Sequence, residues 1–225
     1  MHYQFDWSQV WQHRDLIFDG LLVTVALSVA SLVPTLIIGM LIGTLGASGS
    51  RAARTAAGLY VEGMRNVPLL IHMYVWYMAL AFLRLPPFAC AVLGLTLYSS
   101  AYVAELVRSG IGAVPRGQAR AAAASGLRPW QALLLVVYPQ ALRIIAPSLA
   151  SLASQLIKDS SLASVIAVAE LSYQAGAIEG QTFRTFEVYI TIAVLYLALV
   201  LLVSFAIDRI PGLRDAPSVG RIADA

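Results

Sequence analysis

From residue 20 to residue 50 the chain carries no aspartate, glutamate, lysine, arginine or histidine. A bilayer's hydrocarbon core, ~30 Å thick, is crossed by about 20 apolar residues rising ~1.5 Å each in a helix. A run this long and this free of charge is most stable inside such a core. Three shorter runs repeat the pattern: 66–83, which lacks acids, lysine and arginine but holds His72, then 85–104 and 188–207. Only 12% of the 225 residues are charged and 59% are hydrophobic, about half the ~25% charge of a soluble domain. The sequence therefore predicts an all-α integral membrane protein.

The first run exceeds the ~7–15-residue core of a cleaved signal peptide. The segment before it, "MHYQFDWSQVWQHRDLIFDG", has no basic n-region. A retained span is expected, behind a polar and aromatic arm at residues 1–19 in which Trp7 and Trp11 suit the membrane interface. Cys90 is the only cysteine, so no intrachain disulfide can form. His2, His13 and His72 show no metal-ligand spacing, and no metal site is expected. The net charge of +3 comes from arginines at the ends of apolar runs. That pattern points to membrane topology rather than nucleic acid.

Four spans are plain, at 20–46, 59–83, 87–106 and 188–207, and a fifth lies between Arg143 and Ala169. Arg51, Arg54, Arg108, Arg116, Arg120 and Arg128 fall on one side, with Arg209, Arg214 and Arg221 after the last span. Arg14, Arg84 and Arg184 fall on the other, beside Asp15, Asp19, Glu179 and Glu187. The positive-inside rule then puts the amino terminus outside and the carboxyl terminus in the cytoplasm. The expected organisation is an arm at 1–19, a membrane domain at 20–208 with a cytoplasmic loop at about 109–138, and a cytoplasmic tail at 209–225.

That loop, "RGQARAAAASGLRPWQALLLVVYPQALR", is the oddest segment. Gly117 to Ser125 is alanine-rich and should be helical. Gly126 suits the stop after the helix, and Pro129 the first turn of a second one. Pro139 is expected to interrupt the chain before Arg143. Small alanine faces let a partner approach closely, with Arg120 and Arg128 at the edge. Composition alone equally allows a basic amphipathic helix lying on membrane lipid headgroups.

The segments "GQARAAAASG" and "YPQALR" resemble the EAA loop of permease subunits of ATP-binding-cassette importers. "YVEGMRNVPLLIHMYVWY", "AYVAELVRSGI", "RGQ" and "LIKDSSLASVIAVAEL" are similar, in the same order, to segments of the polar-amino-acid uptake branch. "YQFDWS" and "MRNVPL" are faintly similar to glutamate/aspartate permeases. The resemblance runs from about residue 20 to 207. It implies a five-span importer permease whose loop forms a coupling helix seated in a groove of a cytoplasmic ATPase. The coupling residues it implies are Gly117, Gln118, Arg120, Ala121, Ala122, Gly126, Leu127 and Pro129. It further implies a dimer of ATPase subunits, a second permease chain (the same or a sister), and an extracytoplasmic amino-acid-binding protein, in a bacterial cytoplasmic (inner) membrane. ATP and Mg would be held by the ATPase and no cofactor by this chain. Arg120 stands where the family has glutamate. Either the partner's groove differs or that contact carries no weight here.

The stretch 144–157 gives about 21 Å of helix at ~1.5 Å per residue, too short to cross. Lys158 and Asp159 are then expected at membrane depth, where ionised groups face a cavity or a partner. Neighbours in sequence do not face each other on a helix, so the pair predicts a break, and Lys158, Asp159, Ser160 and Ser161 become candidates for the substrate path. A tilted span ending at a wet Lys–Asp pair is the plainer alternative. Glu62/Arg65 and Glu105/Arg108 have i,i+3 spacing, and Pro68 can kink the helix beside the first pair. These five residues are candidate gate elements or ordinary boundary pairs. Gly39 and Gly43, four apart, would admit a close helix.

No Gly-Lys-Ser/Thr phosphate loop, Gly-x-Ser-x-Gly, His-Glu-x-x-His or Cys-x-x-Cys occurs. The chain is not expected to be an enzyme. An ion-gradient-driven secondary transporter, with Lys158/Asp159 as relay, and a membrane scaffold that recruits a soluble partner are the rival readings.

Overall fold

In hydrocarbon every backbone N–H and C=O must bond within the protein, which favours helices. The computed structural model describes residues 3–209, and every regular element among them is helical. Arg214, Arg221 and the rest of the expected tail beyond Arg209 lie outside the described residues, as does His2. The elements are α1 Ser8–Gln12, α2 Arg14–Gly46, α3 Arg51–Arg65, α4 Leu69–Ala79, α5 Pro87–Ala113, α6 Arg116–Ala124, α7 Pro129–Ala132, α8 Tyr138–Asp159, α9 Leu171–Thr182 and α10 Thr185–Asp208. Four helical stretches are long and apolar enough to cross a membrane: Arg14–Gly46, Pro87–Ala113, Pro129–Ile166 and Thr185–Ile207. The shorter Leu69–Ala79 is the fifth apolar helix.

α2 shows how such a helix accommodates its polar residues. Thr24 Oγ1 donates to the Gly20 carbonyl at 3.0 Å, Ser28 Oγ to Thr24 at 2.7 Å and Thr44 Oγ1 to Met40 at 2.7 Å. These three hydroxyls are satisfied four residues back on their own helix, whereas those of Ser31 and Thr35 are buried without a partner among the described residues. Leu22, Val25, Val29, Val33, Ile37, Leu41 and Leu45 form an exposed apolar stripe at helical spacing. Phe186, Ile190, Val194, Leu197, Leu201 and Phe205 do the same on α10. Such stripes suit lipid. α2 begins at Arg14 rather than near residue 20, because Ile17 is buried with Leu171, Ile178 and Val188.

The described chain divides into two compact units. One comprises the residues up to Pro34 with Val67–Tyr98 and Ser154–Val203. Its first core gathers Leu27, Leu69, Met73, Leu95 and Ile166, and its second holds Ile17, Leu171, Ala175, Ile178 and Val188. The second core has a polar anchor. The fully buried Glu170 caps α9, accepting from Ser172 N at 2.9 Å and Tyr173 N at 2.8 Å, while the Tyr196 hydroxyl donates to it at 2.6 Å. The Leu171 N–H donates to Thr24 Oγ1 at 3.1 Å. A Cβ on Gly20 would fall 3.0 Å from Leu171 Cα, so α2 and α9 meet almost backbone to backbone. The arm is tethered in this unit by a second buried carboxylate, Glu187, which accepts from the Tyr3 hydroxyl and, at 2.8 Å, from the Asp6 N–H. Arg184 Nη1 donates to the Gln4 carbonyl at 2.9 Å. Trp7 and Trp11 stay exposed.

The other unit comprises, among the described residues, Thr35–Asn66, Ser99–Ala153 and 204–209. α2 and α5 approach closely within it. A Cβ on Gly39 would lie 2.4 Å from Val103 Cβ, and one on Gly43 2.5 Å from the Ala104 carbonyl oxygen. The expectation that Gly39 and Gly43 admit a close helix is met, and α5 is that helix. α5 and α8 pack through Val103, Val107 and Ile145, where Gly110 leaves room for the Ile145 side chain. Tyr60 of α3 reaches Ser100 of α5 at 2.7 Å.

Three expectations change. The span at 59–83 is not one helix: α3 ends at Arg65 and α4 starts at Leu69, with Pro68 as its N-cap. Proline has no N–H to continue α3 and pushes Val67 away from helical geometry, so Pro68 breaks rather than kinks. The stretch 144–157 is not a short helix of its own, because helical structure continues from Pro129 to Ile166, with α geometry breaking to 3-10 after Asp159. Pro139 does not interrupt it. The turn before it, Leu133–Val137, widens to a π-helix that accommodates the proline ring and its missing donor. α9, between the expected fifth span and the last, had no counterpart in the sequence reading.

Candidate coupling site

α6 starts after Pro115 and ends at a positive-φ glycine, Gly126, with φ +83°. The Gly126 N–H donates to the Ala123 carbonyl at 3.0 Å and the Leu127 N–H to Ala122 at 3.2 Å. This is the paired closure of a Schellman motif, which only glycine enters without a Cβ penalty. Pro129 opens α7, and the Arg128 N–H donates to Gln131 Oε1 at 2.8 Å. Residues 116–132 thus form a helical hairpin. Gly126→Ala is expected to weaken its turn by about 1 kcal/mol. Hydrogen exchange should then rise at 116–132 and stay unchanged in the apolar helices; equal protection in both proteins would contradict this.

Little of the hairpin is buried. Ala122 points inward and is 6% exposed, while Gly117, Gln118, Arg120, Ala121, Gly126 and Pro129 are exposed and Leu127 is half-buried. Gln118 accepts a bond at 3.4 Å from Gln140 of α8, its side-chain tie to the longer helix. Behind the hairpin lies a cavity of about 650 Å³, lined by Arg108, Val114, Arg116, Ala119, Ala123 and Leu127 among others. The hairpin therefore sits on α5 and α8 with its outer face open.

A smaller cavity of about 360 Å³ collects four of the five gate candidates, Glu62, Arg65, Glu105 and Arg108, with Arg54. Only one of the two i,i+3 pairs closes. Arg108 Nε donates to Glu105 Oε2 at 3.1 Å and Arg108 Nη2 reaches the other oxygen. Arg65 instead lies over the Tyr102 ring, 4.8 Å from its centroid. Pro68 is outside this lining and, with residues 67–98, belongs to the other unit.

The Lys158–Asp159 step falls where α8 gives way to a 3-10 segment, Ser160–Ile166, that ends on left-handed Ala167 at φ 62°. Lys158 is exposed and forms no ion pair with Asp159, which accepts from Gln155 Nε2 at 2.8 Å. Ser160 is fully buried and donates to the Ile157 carbonyl; Ser161 donates to Lys158, both at 2.7 Å. The two serines shape the break. Glu170, although inside the quoted segment 156–171, went unread in the sequence: glutamate is not a favoured N-cap, and its partner Tyr196 is distant in the chain.

The architecture defines a polytopic helical membrane protein carrying an exposed hairpin between two long apolar helices. The chain belongs to the family of binding-protein-dependent transport system inner membrane components, whose model matches residues 20–211. It is 36% identical over 211 residues to the glutamine transport system permease protein GlnP of Escherichia coli (strain K12), covering 92% of this chain and 96% of that one. It is 34% identical over 203 residues to the probable glutamine ABC transporter permease protein GlnM of Bacillus subtilis (strain 168), covering 89% and 94%. Among solved structures, an amino acid ABC transporter crystallised with histidines superposes with a TM-score of 0.83 at 33% identity, over 92% of this chain and 97% of that one. The MetNI methionine ABC transporter in an inward-facing form shares the fold, with a TM-score of 0.80 at 23% identity, covering 92% and 99%. The chain is a non-catalytic permease component of an ATP-binding-cassette importer.

Proposed function

We propose that this chain carries a polar amino acid across the bacterial inner membrane, with its hairpin at 116–132 as the joint to a separate ATPase dimer. The observation that carries this is the hairpin itself: a helix stopped by Gly126, tied through Gln118 to α8, and left open along its outer face. Such a helix can lie in a partner's groove and pass its displacement to α5 and α8. ATP and Mg belong to the partner. A second permease chain and an extracytoplasmic binding protein complete the assembly, with the amino terminus outside and the carboxyl terminus inside, as the arginines around α3 and the hairpin favour. The names of the relatives, glutamine transporters above all, support glutamine or a similar polar amino acid as substrate.

In this mechanism ATP-driven closure of the ATPase draws two hairpins together and opens the path outward; hydrolysis reverses it. Substrate shifts that equilibrium only through contacts that differ between the two states. Lys158 and Asp159 are the proposed path contacts, with Ser160 and Ser161 holding the backbone break that presents them. Glu62, Arg65, Glu105 and Arg108 are proposed as the gate around their common cavity. The full chain in vesicles should transport radiolabelled glutamine only with its ATPase and binding protein present. Transport at full rate by the chain alone would overturn the proposal in favour of a secondary transporter. Alanine at Lys158 and Asp159 should raise the substrate concentration needed for half-maximal transport or uncouple ATP hydrolysis from it. If neither changes at any of the four path residues, the path assignment fails.

A further inference from the structure

The outer face of α6 carries one long side chain at its centre, Arg120. Ala122 turns inward, and on a helix of 3.6 residues per turn Arg120 then points almost opposite. Its neighbours on that face, Gly117, Ala121 and Ala124, are small and exposed, and a Cβ built on Gly117 meets nothing within 4 Å. A partner surface can therefore reach the helix backbone around the Arg120 guanidinium, with Arg116 one turn before it.

The charge around it is all of one sign. From residue 106 to residue 158 the chain contains no aspartate or glutamate. Arg116, Arg120 and Arg128 are exposed and take part in no ion pair among the described residues. Arg116 and Arg120 are four apart in α6, where like charges repel. Arg116 also opens the nine-residue helix, where the dipole disfavours cations. α6 thus holds an electrostatic cost that nothing in its own unit relieves. Anionic groups on a docked surface relieve it, and a carboxylate matches the planar fork of Arg120.

We propose that the ATPase groove receiving this hairpin is lined with carboxylates, at least one of which pairs with Arg120. The proposal rests on the coupling role given above and adds the chemistry of the partner's surface. In discs of neutral lipid, the full chain should bind its ATPase more weakly as salt rises. Arg120→Glu should weaken binding about tenfold or more at low ionic strength, with the gap narrowing at high salt. Arg120→Lys should keep most of the salt dependence. Exchanging the groove carboxylate for arginine should restore binding of Arg120→Glu. Because Arg120→Glu removes the repulsion with Arg116, weaker binding would not reflect a melted helix. Equal binding by wild type and Arg120→Glu overturns the proposal. So does a loss seen only in discs of anionic lipid, which assigns Arg120 to headgroups. If the wild-type chain binds no ATPase at all, the coupling role itself falls, and this inference with it.

Discussion

Gly43→Val is expected to cost the protein much of its stability, and the reason is a fixed obstacle. A Cβ at this position would lie 2.5 Å from the Ala104 carbonyl oxygen and 2.7 Å from Val107 Cβ. Overpacking costs about 1–3 kcal/mol when side chains can shift, and more when they cannot. Here the nearest atom is backbone in the middle of α5, so a loss of about 3 kcal/mol or more is expected. Thermal unfolding in detergent should show a clearly lower midpoint, or the variant should fail to accumulate in the membrane. Gly63→Ala is the natural control. It sits on α3 with nothing within 4 Å of its would-be Cβ, and replacing an exposed helical glycine by alanine should stabilise by about 0.5–1 kcal/mol. A Gly43→Val protein that unfolds with the wild type would show that α2 and α5 do not meet at these glycines.

Glu170→Ala should be the second most damaging change. It removes the acceptor for two N–H groups at the start of α9 and for the Tyr196 hydroxyl. Loss of a cap costs about 1 kcal/mol, and each buried polar group left unpaired about 1–3 kcal/mol more. Together these give a loss of roughly 2–4 kcal/mol. Glu170→Gln keeps an acceptor oxygen and should lose much less. Tyr196→Phe should cost about 1 kcal/mol, and combining it with Glu170→Ala should cost less than the sum, because the two share one network. Strict additivity would mean that Glu170 and Tyr196 are not coupled.

The hairpin was legible because its signals are local. Alanines favour helix, Gly126 takes a conformation other residues resist, and Pro129 suits a first turn; each acts within a few residues of itself. The break after Asp159 was legible for the same reason, since adjacent charges cannot share a partner on one helix face. Two local readings failed where a neighbouring segment supplied what the signal lacked. Pro139 reads as a stop, yet the π-turn at Leu133–Val137 carries the helix past it. Residues 59–83 read as one apolar run, yet Pro68 divides them, and Leu69 and Met73 of α4 are buried with Leu27 and Leu95.

The sequence by itself determined the solvent of this protein, its helical class and the place of its exposed hairpin, because charge-free length, glycine and proline act on the chain directly. The tertiary structure decided the partners. Gly39 and Gly43 announce a close neighbour, but only the fold names Val103 and Ala104. Glu62 and Glu105 share the same spacing to an arginine, but only Glu105 binds one, while Arg65 turns to Tyr102. Glu170 was silent because its cap is local but of an unfavoured type, and its tyrosine reaches it only when α9 and α10 pack. A buried polar group is chosen by what surrounds it in space, and a linear pattern carries almost no record of that.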